Sequence, residues 1–247
     1  MRNIRLYISY DGTDYSGWQR QEKTAKPTIQ GEIEKALEKL HKRPVSITGS
    51  GRTDRGVHAR SQCANFYTDI ASMEAGRFVP ALNSLLPRDI RIMESQEVHF
   101  GFHARLDTRS RMYRYYFVQA HKVLPMELRF ANVLWRQPDI VLLNEYCRFF
   151  RGEFDCTVFA SPADKSVSRY RYIYSAGFFI EGTKIVFEIK ANAFLWKMIR
   201  SIVGTLLFYE EKKICPEDFL HIISSGKREL AGPTLSPQGL FLWNVEY

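Results

Sequence analysis

Cysteine is sparse in this 247-residue chain, and Cys63, Cys147, Cys156 and Cys215 stand apart without a CxxC pair. That spacing excludes both a disulfide framework and the usual zinc-ligand signature, and predicts reduced thiols. No apolar run is long enough to span a bilayer, so no membrane partner is expected. The opening MRNIRLYISYDG is charged and strand-like, with neither the apolar stretch of a signal peptide nor the Arg/Ser-rich pattern of a transit peptide, which predicts a cytoplasmic protein. There is no low-complexity linker and no sequence repeat. Regular βαβ alternation is also missing, which argues against a doubly wound parallel sheet.

What is present is a basic, core-forming chain. Hydrophobic residues make up 45% of it, enough for one large or two ordinary domains. Lys and Arg total 35 against 27 Asp and Glu, giving a formal charge of +8 and a pI near 9.3, an excess that favours a polyanionic partner, nucleic acid first.

Ile4, Leu6, Ile8 and Tyr10 alternate with polar residues and predict a first strand, followed by a turn at Asp11 to Asp14. Ile29, Ile33, Leu37 and Leu40 recur at helical spacing and predict a helix over 28–42. Strands are expected over 45–50, 62–67 and 90–94, with a helix over 73–85, and the pattern lapses over 101–108. The second half repeats the plan, with strands expected over 112–119, 169–176, 184–190 and 240–245, and helices over 138–150, 193–209 and 216–223. Two α+β halves, 1–107 and 108–247, are therefore expected.

The densest chemistry is at Gly49 to Arg60, GSGRTDRGVHAR, where one carboxylate, Asp54, lies among Arg52, Arg55 and Arg60, with three glycines to bend the backbone closely around a ligand. The arginines can bind phosphate or stabilise the negative charge of Asp54. A lone carboxylate does not make the multi-acid cluster of a metal-dependent nuclease. His58 reads as a hydrogen-bonding scaffold, and Asp11 and Asp14 as turn residues, with no metal site expected.

Gly51-Arg-Thr-Asp-Arg-Gly-Val-His-Ala59 resembles the GRTDxGVHA signature of the TruA-type tRNA pseudouridine synthases. Tyr10-Asp-Gly-Thr-Asp-Tyr-Ser-Gly-Trp-Gln-Arg-Gln21 is similar to the family's YDGTxYxGWQxQ, and Thr28-Ile-Gln-Gly-Glu-Ile-Glu34 to its TVQGxLE helix start. Phe102-His-Ala-Arg105, Arg111-Met-Tyr-Arg-Tyr115, Lys197-Met-Ile-Arg200 and Gly239-Leu-Phe-Leu242 match later blocks in order, so the likeness runs almost end to end.

The resemblance implies two ferredoxin-like, RRM-like halves sharing a central antiparallel sheet, helices outside, and a basic cleft between them. It implies conversion of uridine to pseudouridine at positions 38, 39 and 40 in the anticodon arm of tRNA, by a homodimer that uses no cofactor. Asp54 would be the catalytic residue. Tyr113 would stack on the base, Arg200 would pair with the aspartate, Leu240 would line the pocket, and Arg52 would orient Asp54 or fill the space left by a flipped base. Arg55, Arg60, Arg105 and Lys197 are candidate tRNA contacts, and Arg109, Arg111 and Arg114 extend the basic stretch. The apolar stripe Leu195, Met198, Ile199, Ile202 and Leu206 leaves Lys197, Arg200, Ser201 and Gly204 on an opposite, polar helix face.

One position and one block depart from the family pattern. Arg55 stands where alanine is usual, and Gly152 to Phe159 lacks the histidine and the following phenylalanine of a GxHDFxxF-like block. The alternative reading is a non-catalytic RRM-like tRNA-binding protein or RNA chaperone, but no RNP1-like block is present, and the loop around Asp54 would then have no purpose.

Overall fold

A computed structural model describes residues 1–21 and 26–247. The chain divides into two compact units, Met1–Arg109 with Phe241–Tyr247, and Ser110–Leu240. The closing segment thus belongs to the first unit although it ends the sequence.

In the first unit the elements run β1 (Arg2–Tyr10), α1 (Ile29–His41), β2 (Ile47–Gly49), β3 (His58–Thr68), α2 (Phe78–Asn83) and β4 (Ile90–Val98), with the strands ordered β4-β1-β3-β2. This is the ferredoxin-like plan, with antiparallel pairs fixed by register such as Ile4 opposite Phe66 and Leu6 opposite Ala64. The two-residue alternation in β1 buries Ile4, Leu6 and Ile8 completely, and α1 meets that face with Ile29, Ile33 and Leu37. Burial of each such side chain contributes about 1.5–3 kcal/mol. Thr28 caps α1 by accepting from Gly31 N at 3.2 Å. The helix expected over 73–85 is shorter: Pro80 sits in the first turn of α2, where its missing N–H leaves no bond unmade, and a 3-10 turn at Ala75–Arg77 leads into it. The strand β10 (Leu240–Glu246) pairs in parallel with β3, setting Phe241 opposite His58 and Leu242 opposite Ala59.

The second unit contains β5 (Ser110–Gln119), β6 (Asn132–Leu134), α3 (Ile140–Cys147), β7 (Gly152–Asp155), β8 (Tyr170–Glu181), β9 (Lys184–Ala191), α4 (Met198–Glu211) and α5 (Pro216–Ser224). Its strands order β5-β9-β8-β7, all antiparallel, with β6 alongside β5 in parallel. The succession β5-α3-β8-β9-α4 repeats the first five elements of the first unit's plan. Tyr115, Phe117, Ile173, Phe187 and Ile189 are completely or almost completely buried and form this unit's core with α3 and α4. The α+β class expected from sequence holds in both units.

The helix expected to begin at Ala193 begins instead at Met198. Asn192 Oδ1 accepts from Ala193 N at 2.7 Å and Asp164 Oδ2 from Trp196 N at 2.5 Å, so these amides are spent on side chains. Lys197 then takes a left-handed conformation, φ 61°, which no helix continues through. The short strands β6 and β7 have no counterpart in the sequence reading.

Candidate active site

The loop that carries Asp54 leaves β2 and enters β3. Asp54 O accepts from Val57 N at 3.1 Å, and Gly56, at φ +78°, supplies the left-handed corner of a type II turn. The loop is held from both sides. On one, Ser50 Oγ donates to Gln62 Oε1 at 2.6 Å and Gln62 Nε2 donates to Gly51 O at 2.9 Å. On the other, Trp18 N donates to Thr53 O at 3.1 Å, and the Tyr10 and Thr53 hydroxyls lie 2.8 Å apart. Gly17, at φ +97°, comes so close that a methyl group there would stand 2.6 Å from Thr53 O, and one on Gly12 would overlap the Val57 carbonyl. The Tyr10 to Gln21 block is therefore the bed on which the Asp54 turn rests.

Asp54 is partly exposed between the exposed Arg52 and Arg55. Arg52 Nε donates to Gln19 Oε1 at 3.1 Å, which aims its guanidinium. Arg60 is exposed on β3 and lies over the Trp243 ring at 4.6 Å, a cation–π pair. Arg105 is exposed, in a turn whose backbone amide donates to His103 Nδ1 at 3.2 Å.

His58 is fully buried and stacks on Phe241 with ring centres 4.6 Å apart. Its Nδ1 lies 3.1 Å from Asp11 Oδ1 and 3.1 Å from Gly12 N, so a proton on Nδ1 selects the carboxylate and its absence selects the amide. Burial works against ionisation of Asp11, but hydrogen bonds from His58 and Thr13 outweigh it and hold the carboxyl well below the usual range. This is a scaffold under the loop.

In the second unit Tyr113 lies on β5, 7% exposed, with Phe194 edge-on at 5.1 Å. Tyr115 is completely buried and donates its hydroxyl to Ser236 O, and burial pushes its pKa up. Arg200 lies in the first turn of α4, where its Nε donates to Leu235 O at 2.7 Å and Leu235 N donates back to Arg200 O at 3.3 Å.

The polar face of α4 is covered by a later segment. Residues 232–235 cross α4, Gly232 N donating to Thr205 Oγ1 at 2.9 Å, and pack so tightly on Gly204 that a β-carbon there would overlap the Pro233 carbonyl. Ser201 and Gly204 are buried as a result. Lys197 holds its ammonium 4.6 Å from the Trp196 ring, and Leu240 is 4% exposed. Arg114 is held by Glu188 at 2.7 Å and Glu181 at 3.1 Å, which makes it a structural cation rather than a free phosphate contact.

The structure thus brings Arg52, Asp54 and Arg55 together on one clamped turn, while Tyr113, Lys197, Arg200 and Leu240 belong to the second unit. Sequence reasoning missed Gln19 and Leu235, which orient two of the arginines. Gln19 lies inside the GWQRQ block, a signal that was available; Leu235 acts through its backbone and leaves none.

The sequence pattern of the family described as tRNA pseudouridine synthase matches residues 6–107 and 147–247. The chain belongs to that family. Among its relatives, a tRNA pseudouridine synthase A of Treponema denticola is 52% identical, covering all of this chain and 93% of the relative. One from Treponema pallidum is 46% identical over 94% of this chain and 84% of the relative, and one from Caldicellulosiruptor saccharolyticus is 42% identical over the whole of both. The first and third of these relatives match the whole of this chain, and the second nearly all of it. No helix among the described residues is long and apolar enough to cross a membrane.

Proposed function

We propose that this tRNA pseudouridine synthase isomerises uridine at positions 38, 39 and 40 of the anticodon arm, with Asp54 as the catalytic carboxylate, acting as a cytoplasmic homodimer. The observation that carries the reading is the Asp54 turn: one carboxylate, flanked by Arg52 and Arg55, on a loop fixed by hydrogen bonds to β3 and to the Tyr10 to Gln21 block. Such fixing supports chemistry because reactive groups held in position gain rate over mobile ones.

The target base lies inside a stacked arm and must be flipped out to reach a carboxylate. The N1–C1′ bond then breaks, the uracil turns, and C5 bonds to C1′; the C5 hydrogen leaves to solvent and N1 takes up a proton. Atoms and electrons balance without a co-reactant, so the reaction is redox-neutral and requires no cofactor. Asp54 acts at the sugar or at the base, Tyr113 stacks on the uracil, and Leu240 lines its pocket. Arg200 and Arg52 orient the carboxylate and the base, while Arg55, Arg60, Arg105 and Lys197 contact phosphates.

The test is incubation of the purified protein with unmodified tRNA transcripts, followed by carbodiimide labelling and primer extension, with Asp54→Asn in parallel. Stops at positions 38–40 from wild type alone are expected. Turnover by Asp54→Asn would overturn the role of Asp54, and absence of product from wild type would overturn the activity.

A further inference from the structure

Strand β8 carries tyrosine at three successive outward positions. Tyr170, Tyr172 and Tyr174 are 56%, 48% and 43% exposed, while Ile173 between them is fully buried. The Tyr172 and Tyr174 rings lie 5.1 Å apart. None of the three hydroxyls has a hydrogen-bond partner among the described residues. Tyrosine favours strands, but the outward face of an antiparallel sheet is ordinarily polar, and here it presents three aromatic rings.

The register gives the row its direction. A one-residue slip between Ile173 and Ser175 sets Tyr174 beneath Lys190, whose ammonium is 5.8 Å from the ring centre. In the middle of the row, Tyr172 N donates to Asn192 Oδ1 at 3.1 Å and Asn192 N donates to Tyr172 O at 3.0 Å. Asn192 opens the 192–197 segment, which carries Phe194 against Tyr113, the 43% exposed Trp196, and Lys197 over that indole. Aromatic rings and cations therefore continue from β8 to the residue that precedes α4. Glu153 stands opposite Tyr172 on β7 as an acid on this face.

We infer that Tyr170, Tyr172 and Tyr174 form a stacking platform for unpaired bases of the RNA substrate, with Lys190 and Lys197 holding the adjacent phosphates. The inference rests on the tRNA reading above and names a contact surface for it. Rings at every second strand position suit splayed bases, every base having a face to stack, and the cations complement the backbone charge.

The test compares Tyr172→Ala/Tyr174→Ala with Tyr172→Phe/Tyr174→Phe by filter binding to an unmodified tRNA transcript and to a blunt RNA duplex, with product formation measured on the same transcript. The double alanine variant is expected to weaken tRNA binding at least about fivefold, to keep its salt dependence, and to leave duplex binding unchanged. The double phenylalanine variant is expected to bind like wild type, because the rings remain. Lys190→Ala, in contrast, is expected to flatten the salt slope by about one. Unchanged tRNA affinity in the double alanine variant would overturn the platform while leaving the activity standing. Conversion of a dimer to a monomer in sedimentation would also overturn it, assigning the face to a second copy. Wild type that binds tRNA without forming product would overturn the functional reading, and the affinities would still decide the platform.

Discussion

Gly17 and Gly152 form a matched pair for asking whether the bed under the Asp54 turn matters to chemistry. Their φ values are almost the same, +97° and +98°, yet a methyl group on Gly152 meets nothing within 4 Å, while one on Gly17 stands 2.6 Å from Thr53 O and 3.1 Å from Arg55 N. Gly152→Ala therefore incurs backbone strain alone, about 1–2 kcal/mol. Gly17→Ala incurs the same strain and must also drive Thr53 to Arg55 away by roughly half an ångström or more, bringing the total to about 2–4 kcal/mol. In a protein of this size that is a fall in Tm of roughly 4–16 °C, against roughly 2–8 °C for Gly152→Ala. The displaced atoms include the backbone of Asp54, the carboxylate proposed above as catalytic, and misplacing a reacting group by about 1 Å costs about a hundredfold in rate. The assay is tritium release from tRNA carrying label at C5 of uridine, since that hydrogen leaves when C5 bonds to C1′, run well below both melting temperatures. We expect kcat to fall at least about tenfold in Gly17→Ala, with tRNA affinity retained, and to stay within about twofold of wild type in Gly152→Ala. Equal kcat values in the two variants would refute the reasoning.

Two further outcomes follow from burial and charge. Asp11 has a folded pKa depressed below its unfolded value, so its stabilising contribution is complete above the unfolded carboxylate range and is lost as pH falls through the folded value. Tm measured from pH 6 down to pH 2 is expected to fall less steeply in Asp11→Asn than in wild type, and parallel curves would remove Asp11 from the account. Cys63, Cys147 and Cys156 are buried and Cys215 is exposed, with burial pushing the Cys63 thiol up to about 11 and the Cys156 thiol up to about 12. A chromogenic disulfide reagent is expected to titrate one thiol in the native protein and four after denaturation; three rapid native thiols would contradict the packing described.

Local pattern announced some elements and failed for others for physical reasons. Helix α1 is legible because Ile29, Ile33 and Leu37 lie four residues apart behind a threonine cap, and both signals are local. Helix α4 was misread at its start because Ala193 to Lys197 has a helix-compatible composition, while the side chains that divert its amides come from Asn192 and from distant Asp164. The covering of its polar face left no local signal, because residues 232–235, some thirty positions away, close over Ser201 and Gly204. Amphipathic periodicity reports which face is apolar; it does not report whether a later segment covers the other.

The Asp54 loop was legible for a different reason, and the structure gives its physical basis. Gly12 and Gly17 leave no room for side chains against Val57 and Thr53, Trp18 and Tyr10 bond to Thr53, and Gln19 aims Arg52. Five positions of the Tyr10 to Gln21 block are thus specified by the shape of one turn more than thirty residues later. A chain that kept the turn and lost the block would leave Thr53 O, Thr53 Oγ1 and the Arg52 guanidinium without these partners. Changes in the block should therefore register as loss of turnover, because the block touches the backbone of the carboxylate's own turn, while changes along the exposed face of β8 should register in affinity.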